Sequence, residues 1–114
     1  MKGIPGKDMD VKGLNKGLAG FVDVTRFVLA LDEETGRFYV KLTLANALGQ
    51  RVRLICRDVQ NLELNPAGNG FDRMFQLEVT DMREDGLERI RYSVEEIQRE
   101  TLFLHCAEIE LETA

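Results

Sequence analysis

The sequence predicts an all-β fold, an antiparallel sandwich or strongly curled sheet of six to seven strands, and three observations carry that reading. From Arg37 onward, apolar and polar side chains alternate with a period of two over successive short stretches. Turn phrases rich in Gly, Asn and Asp separate those stretches at intervals of roughly 8 to 12 residues. No long stretch carries the 3.6-residue rhythm of an amphipathic helix.

The elements follow in chain order. Residues 1–20 hold five glycines, Pro5 and four lysines, a composition that costs much entropy to order and buries little in return. It predicts a flexible, Gly/Lys-rich N-terminal tail over 1–20, followed by a single all-β domain over 21–114. "FVDVTRFVLAL" (21–31) is rich in valine and phenylalanine and reads as the first strand, although Leu18, Phe21, Val22, Thr25, Val28 and Leu29 also share one helical face. Gly36 in "DEETG" suits the left-handed position of a tight hairpin. Beyond it, "RFYVKLTLA" sets Phe38, Val40, Leu42 and Leu44 on one face against Tyr39, Lys41 and Thr43.

"NALGQ" turns the chain, and "RVRLICR" points Val52, Leu54 and Cys56 inward and Arg51, Arg53 and Arg57 outward, with Ile55 breaking the rule. A short "NLEL" precedes the loop phrase "NPAGNG". "MFQLEVT" alternates Phe75, Leu77 and Val79 with Gln76, Glu78 and Thr80; after the turn "EDG", "LERIRYSV" alternates Ile90, Tyr92 and Val94 with Arg89, Arg91 and Ser93. "EEIQRE" is read as the turn into a last strand, "TLFLHCAEIEL".

Composition bounds the function. With 114 residues, 44% apolar and 31% charged, the chain suffices for one core without disulfides or metals. Its net charge is −5, but residues 1–20 carry four lysines against two aspartates, so the remainder is more acidic than the whole. An acidic body disfavours phosphate-tracking contact with nucleic acid or an anionic membrane and favours a basic partner. No window approaches the roughly 20 apolar residues of a membrane span, and no signal peptide is visible, so the expected location is cytoplasmic. There, Cys56 and Cys106 are expected to be reduced, buried and inert; a bridge between them would require export.

The only histidine, His105, adjoins Cys106. Neighbours in a strand face opposite ways, so the two cannot act as a base and its nucleophile, and His105 reads as a structural residue unless a bulge at Ala107 resets the phase. Ser93 is the only serine. A hairpin about "EEIQRE" sets His105 near Ile90, leaving Ser93 about 10 Å away, too far for a serine and base pair. One His and two Cys cannot complete a zinc site. "DMDVKG" (8–13) starts like a calcium loop, but Lys12 and Ala19 occupy ligand positions. "NPAGNGFDR" lacks the lysine of a phosphate loop. The acid pairs Glu33 with Glu34 and Glu95 with Glu96 fall in expected turns and are read as solvated. No catalytic, cofactor-binding or metal-ligating residue is assigned, and an enzyme is the less favoured class.

Two charge patterns remain open. Arg51, Arg53, Arg57, Arg89 and Arg91 form either a cationic stripe or, as the favoured reading, cross-strand ion pairs with Glu78, Glu63 or the C-terminal glutamates. Glu108, Glu110 and Glu112 either guard an edge strand or offer a docking face to a basic partner.

"VRLICRDVQNLEL", "FQLEVTDM" and "IRYSVEEIQRETLFLHCAEIEL" resemble, in order and spacing, a group of small bacterial all-β proteins, some grouped with immunity proteins of polymorphic toxin systems. The resemblance covers about residues 51–112 and rests on Tyr92 and Val94 in a Y-x-V phrase and on Cys106 and Ile109 in a C-x-x-I phrase. It implies an all-β fold and a protein partner, basic if the role is immunity-type, and transfers no site residue. The expected function is a small acidic protein-binding module; the alternatives are a homo-oligomeric scaffold or a small-molecule-binding β domain with His105 as its general base.

Overall fold

The computed structural model describes residues 10–65, 75–86 and 89–114. Among them are one α-helix, α1 (Val11–Leu18), a short 3-10 turn (Arg83–Asp85) and eight strands: β1 (Asp23–Asp32), β2 (Arg37–Ala45), β3 (Arg51–Arg57), β4 (Gln60–Leu64), β5 (Leu77–Asp81), β6 (Tyr92–Glu96), β7 (Leu102–Cys106) and β8 (Glu108–Thr113). They form two antiparallel four-stranded sheets, ordered β1-β2-β3-β8 and β4-β7-β6-β5. Inward residues of both sheets share one core, so the fold is a sandwich.

The two-residue rhythm sets that core. Val40, Leu42 and Leu44 of β2 and Leu54 and Cys56 of β3 are fully buried; they meet Val79, Val94, Leu104 and Cys106 from the second sheet. The turns obey their local chemistry. Gly36 closes the β1–β2 hairpin at φ +71°, and the Asn46 carboxamide oxygen accepts from the N–H groups of Leu48 and Gln50 in the β2–β3 turn. The loop phrase after Asn65, through Met74, and residues 87–88 lie outside the described residues.

The structure differs from the sequence reading in three places. The strand count is eight because "TLFLHCAEIEL" is two strands: β7 belongs to the second sheet and β8 to the first. Ala107 is the corner, its N–H donating to the Arg57 carbonyl. There the phase resets, so Leu102, Leu104 and Cys106 face inward before it and Ile109 and Leu111 after it.

The second difference concerns the tail expected over 1–20. Residues 1–9 lie outside the described residues, but Val11–Leu18 is a docked helix. The Asp10 carboxylate caps it by accepting from the Gly13 N–H at 2.8 Å, the role this aspartate plays in place of a calcium ligand. Leu14 and Leu18 enter the core. The Asn15 carboxamide donates to the Val79 carbonyl at 2.9 Å and accepts from the Val79 N–H at 2.8 Å, standing in for a neighbouring strand on the outer side of β5.

The third difference is the β6–β7 register. Ser93 stands directly opposite His105, and Glu95 opposite Phe103, three positions away from the pairing expected. Glu95 and Glu96, read as turn residues, extend β6, and the turn starts at Ile97. Glu96 is the physical reason: only 1% exposed, its carboxylate faces inward and accepts from the turn that follows.

Candidate functional site

The residues singled out for chemistry fall on two surfaces, and the structure adds a third. The first is the outer face of the second sheet. His105 and Cys106 point to opposite sides: Cys106 is fully buried, while His105 lies on the outer face, edge-on to Phe103 with ring centroids 4.9 Å apart. The Asn61 amide nitrogen lies 2.9 Å from His105 Nδ1. The imidazole tautomer and the orientation of the Asn61 carboxamide together set which of the two donates. The register makes Ser93 the cross-strand neighbour of His105, which removes the distance argument against that pair. No hydrogen bond joins them, however, and neither lines a described cavity. Among the described residues no three His, Cys, Asp or Glu side chains gather to hold a metal ion.

Cys106 instead contacts the core. The neighbouring Cys56 thiol, together with burial, pushes the Cys106 thiol well above the ordinary range. Both thiols are free and fully buried. Neither is expected to react with dithiobis(nitrobenzoate) in the native protein, and both are expected to react once guanidinium unfolds it; a thiol released before unfolding would contradict this packing.

The second surface is an arginine-lined cleft of about 370 Å³ at the end where β1–β2, β3 and the start of β6 converge. Arg37, Arg57, Arg89 and Arg91 line it with Asp32, Asp58 and Glu108. Asp58, its side chain 12% exposed, binds Arg89 through Nε at 3.0 Å and Arg37 at 3.2 Å. The Arg89 hydrogen bond, opposed by burial, holds the Asp58 carboxyl below its ordinary range. Asp58 and Arg89 both sit at positive φ, +57° and +67°, so the pair closes two left-handed turns on one another.

The outward arginines do not form one stripe. Arg53 pairs with Glu112 and Arg57 with Glu110, each at 2.8 Å, so the C-terminal glutamates are the partners and Glu78 and Glu63 are not. Arg51 lies at the opposite end of β3 from the cleft.

The third surface was not singled out from sequence. It is the side of β1 that pairs with no other strand among the described residues, together with the inner face beside it. Phe27, Leu29 and Leu31 pair with Leu42, Val40 and Phe38 and share their inward face. Leu29, Leu31 and Phe38 are nevertheless 45%, 51% and 50% exposed. A hollow of about 230 Å³ lies beneath, lined by Leu29, Phe38, Val59, Gln60, Asn61 and Leu62. The amide nitrogen of Gln60 is buried and has no hydrogen-bond partner among the described residues. The signal was present in "FVLAL", five apolar residues running through both faces of a strand, which is more than one buried face requires.

No helix among the described residues is long and apolar enough to cross a membrane. Comparison with family models, with curated proteins and with solved structures gave no match.

Proposed function

We propose that this protein is a protein-binding module that captures an extended segment of its partner along the free side of β1. The observation that carries the reading is the contrast between this edge and the other three. β5 is covered by Asn15, β8 carries Glu108, Glu110 and Glu112, and β4 is broken by a register shift with Asn61 at φ +54°. Bulges, charges and covering elements are the usual protection of exposed edges. β1 is ten residues long and has only Arg26 between Thr25 and Asp32 as a charge, with half-exposed leucines on its inner face.

Strand addition joins main-chain hydrogen bonds to alternate side-chain contacts, so the partner segment carries apolar residues at every second position. Asp32, Glu33 and Glu34 at the hairpin end, on a chain of net charge −5, favour a basic residue at its end. A basic toxin met in the cytoplasm by an immunity-type protein would be a partner of this kind.

Photo-crosslinking in the native host tests the reading. A benzophenone side chain replacing Leu31 should give a defined protein adduct, while the same group at Leu48, 83% exposed on the β2–β3 turn, should not. Equal adducts from both positions, or none from position 31, would reject it.

A further inference from the structure

Resting on the reading of β1 as a binding edge, we propose that the segment it accepts is the β1 of a second copy of this chain, paired antiparallel about a twofold axis through Leu29. In an antiparallel ladder, alternate residues turn their N–H and C=O groups to the same side, so two copies of one strand pair only when facing residues share parity. The axis through Leu29 meets that condition. It sets Leu29 against Leu29, Phe27 against Leu31, Val28 against Ala30, and Arg26 against Asp32 of the second copy.

Charge selects this register. Arg26 is exposed and forms no ion pair among the described residues. Asp32 forms none among the described residues either: Arg37, directly opposite it on β2, turns to Asp58, and the Asp32 carboxylate accepts a hydrogen bond from the Glu34 N–H at 2.9 Å. Both unpaired charges lie on one face, equidistant from Leu29. Of the parity-allowed registers within the regular segment from Arg26 to Asp32, only this one brings Arg26 opposite an acid. The segment from Arg26 to Asp32 is also regular, since the single irregularity in the β1–β2 pairing falls between Val24 and Arg26. The paired edges would join the two first sheets into one continuous sheet and bring Leu29, Leu31 and Phe27 of each copy together on its inner side.

Sedimentation velocity of the purified chain, over micromolar to millimolar concentrations, should show a dimer. Leu29→Lys sets two like charges face to face on the axis and should weaken dimerisation by about a hundredfold or more. Arg26→Asp and Asp32→Arg should each give a monomer, because each places like charges opposite one another twice. An equal mixture of the two variants should recover the dimer, since both contacts then become complementary. Circular dichroism confirms that each variant is folded.

Should Asp32→Arg fail to fold for want of its turn contact, Leu29→Cys decides: it should form a disulfide-linked dimer on air oxidation, and Ala30→Cys should not, because only the axial position faces its own copy. A wild-type chain that stays monomeric, a mixture of folded variants that does not associate, or equal oxidation of both cysteine variants would overturn the proposal. A monomeric chain that still gives a defined adduct from position 31 removes the self-pairing and leaves the edge reading standing.

Discussion

Leu14→Ala is expected to lower the free energy of unfolding by about 3 kcal/mol, as measured by denaturant titration, with the slope of the transition unchanged. Leu14 is fully buried, and removing its isobutyl group leaves a cavity in a core shared by both sheets. Asn15→Ala should add its own cost of about 1–2 kcal/mol, because the Val79 N–H and C=O then lose their partners. A chain starting at residue 21 should lose both contributions and fold poorly at best. A truncated chain as stable as the whole would show that α1 is not part of the core and would restore the tail reading.

That helix marks where the sequence was hard to read. Asp10 followed by Val11, Leu14 and Leu18 is a capped helical stripe, yet it spans only two turns and is crossed by Gly13 and Gly17. Glycine there looks like a concession to flexibility. In the fold, a Cβ on Gly17 would lie 2.7 Å from Leu111 Cδ2, so its small size lets α1 sit against β8. Composition cannot separate these two uses of glycine.

The strands were legible because burial on one face repeats at every second residue, and Val40, Leu42 and Leu44, or Phe75, Leu77 and Val79, obey that rule without interruption. The corner at Ala107 was visible only as an allowance, since a phase shift between two apolar runs has no residue signature of its own. The register opposite His105 was misplaced because acidic pairs favour turns, whereas Glu96 is used inside a strand. The free edge went unassigned for a different reason: alternation reports which face of a strand is covered, and whether a strand has a neighbour is a property of sheet order.

Glu96 is expected to be the most consequential single charge in the molecule. Its two carboxylate oxygens accept five hydrogen bonds: Oε2 from the N–H groups of Gln76 and Gln98, and Oε1 from the N–H groups of Arg99 and Thr101 and from the Thr101 hydroxyl. They tie the β6–β7 turn to the start of β5. Burial alone raises the carboxyl, but the four backbone N–H groups outweigh it and hold Glu96 below the ordinary glutamate value of 4.5.

Glu96→Ala strands those donors in the interior and should cost about 3–5 kcal/mol. Glu96→Gln is informative despite its near-identical shape, because an amide turned either way presents its NH₂ to donors. It should still cost about 2 kcal/mol. The pH dependence follows from the lowered folded-state value. The contribution of the carboxylate is complete above the ordinary glutamate range and is lost as pH falls through that range towards the folded value. Stability measured from pH 7 down to pH 3 should therefore fall more steeply for the wild type than for Glu96→Gln, with the gap between them narrowing in acid. Parallel profiles would show that Glu96 is not the charge that holds this turn.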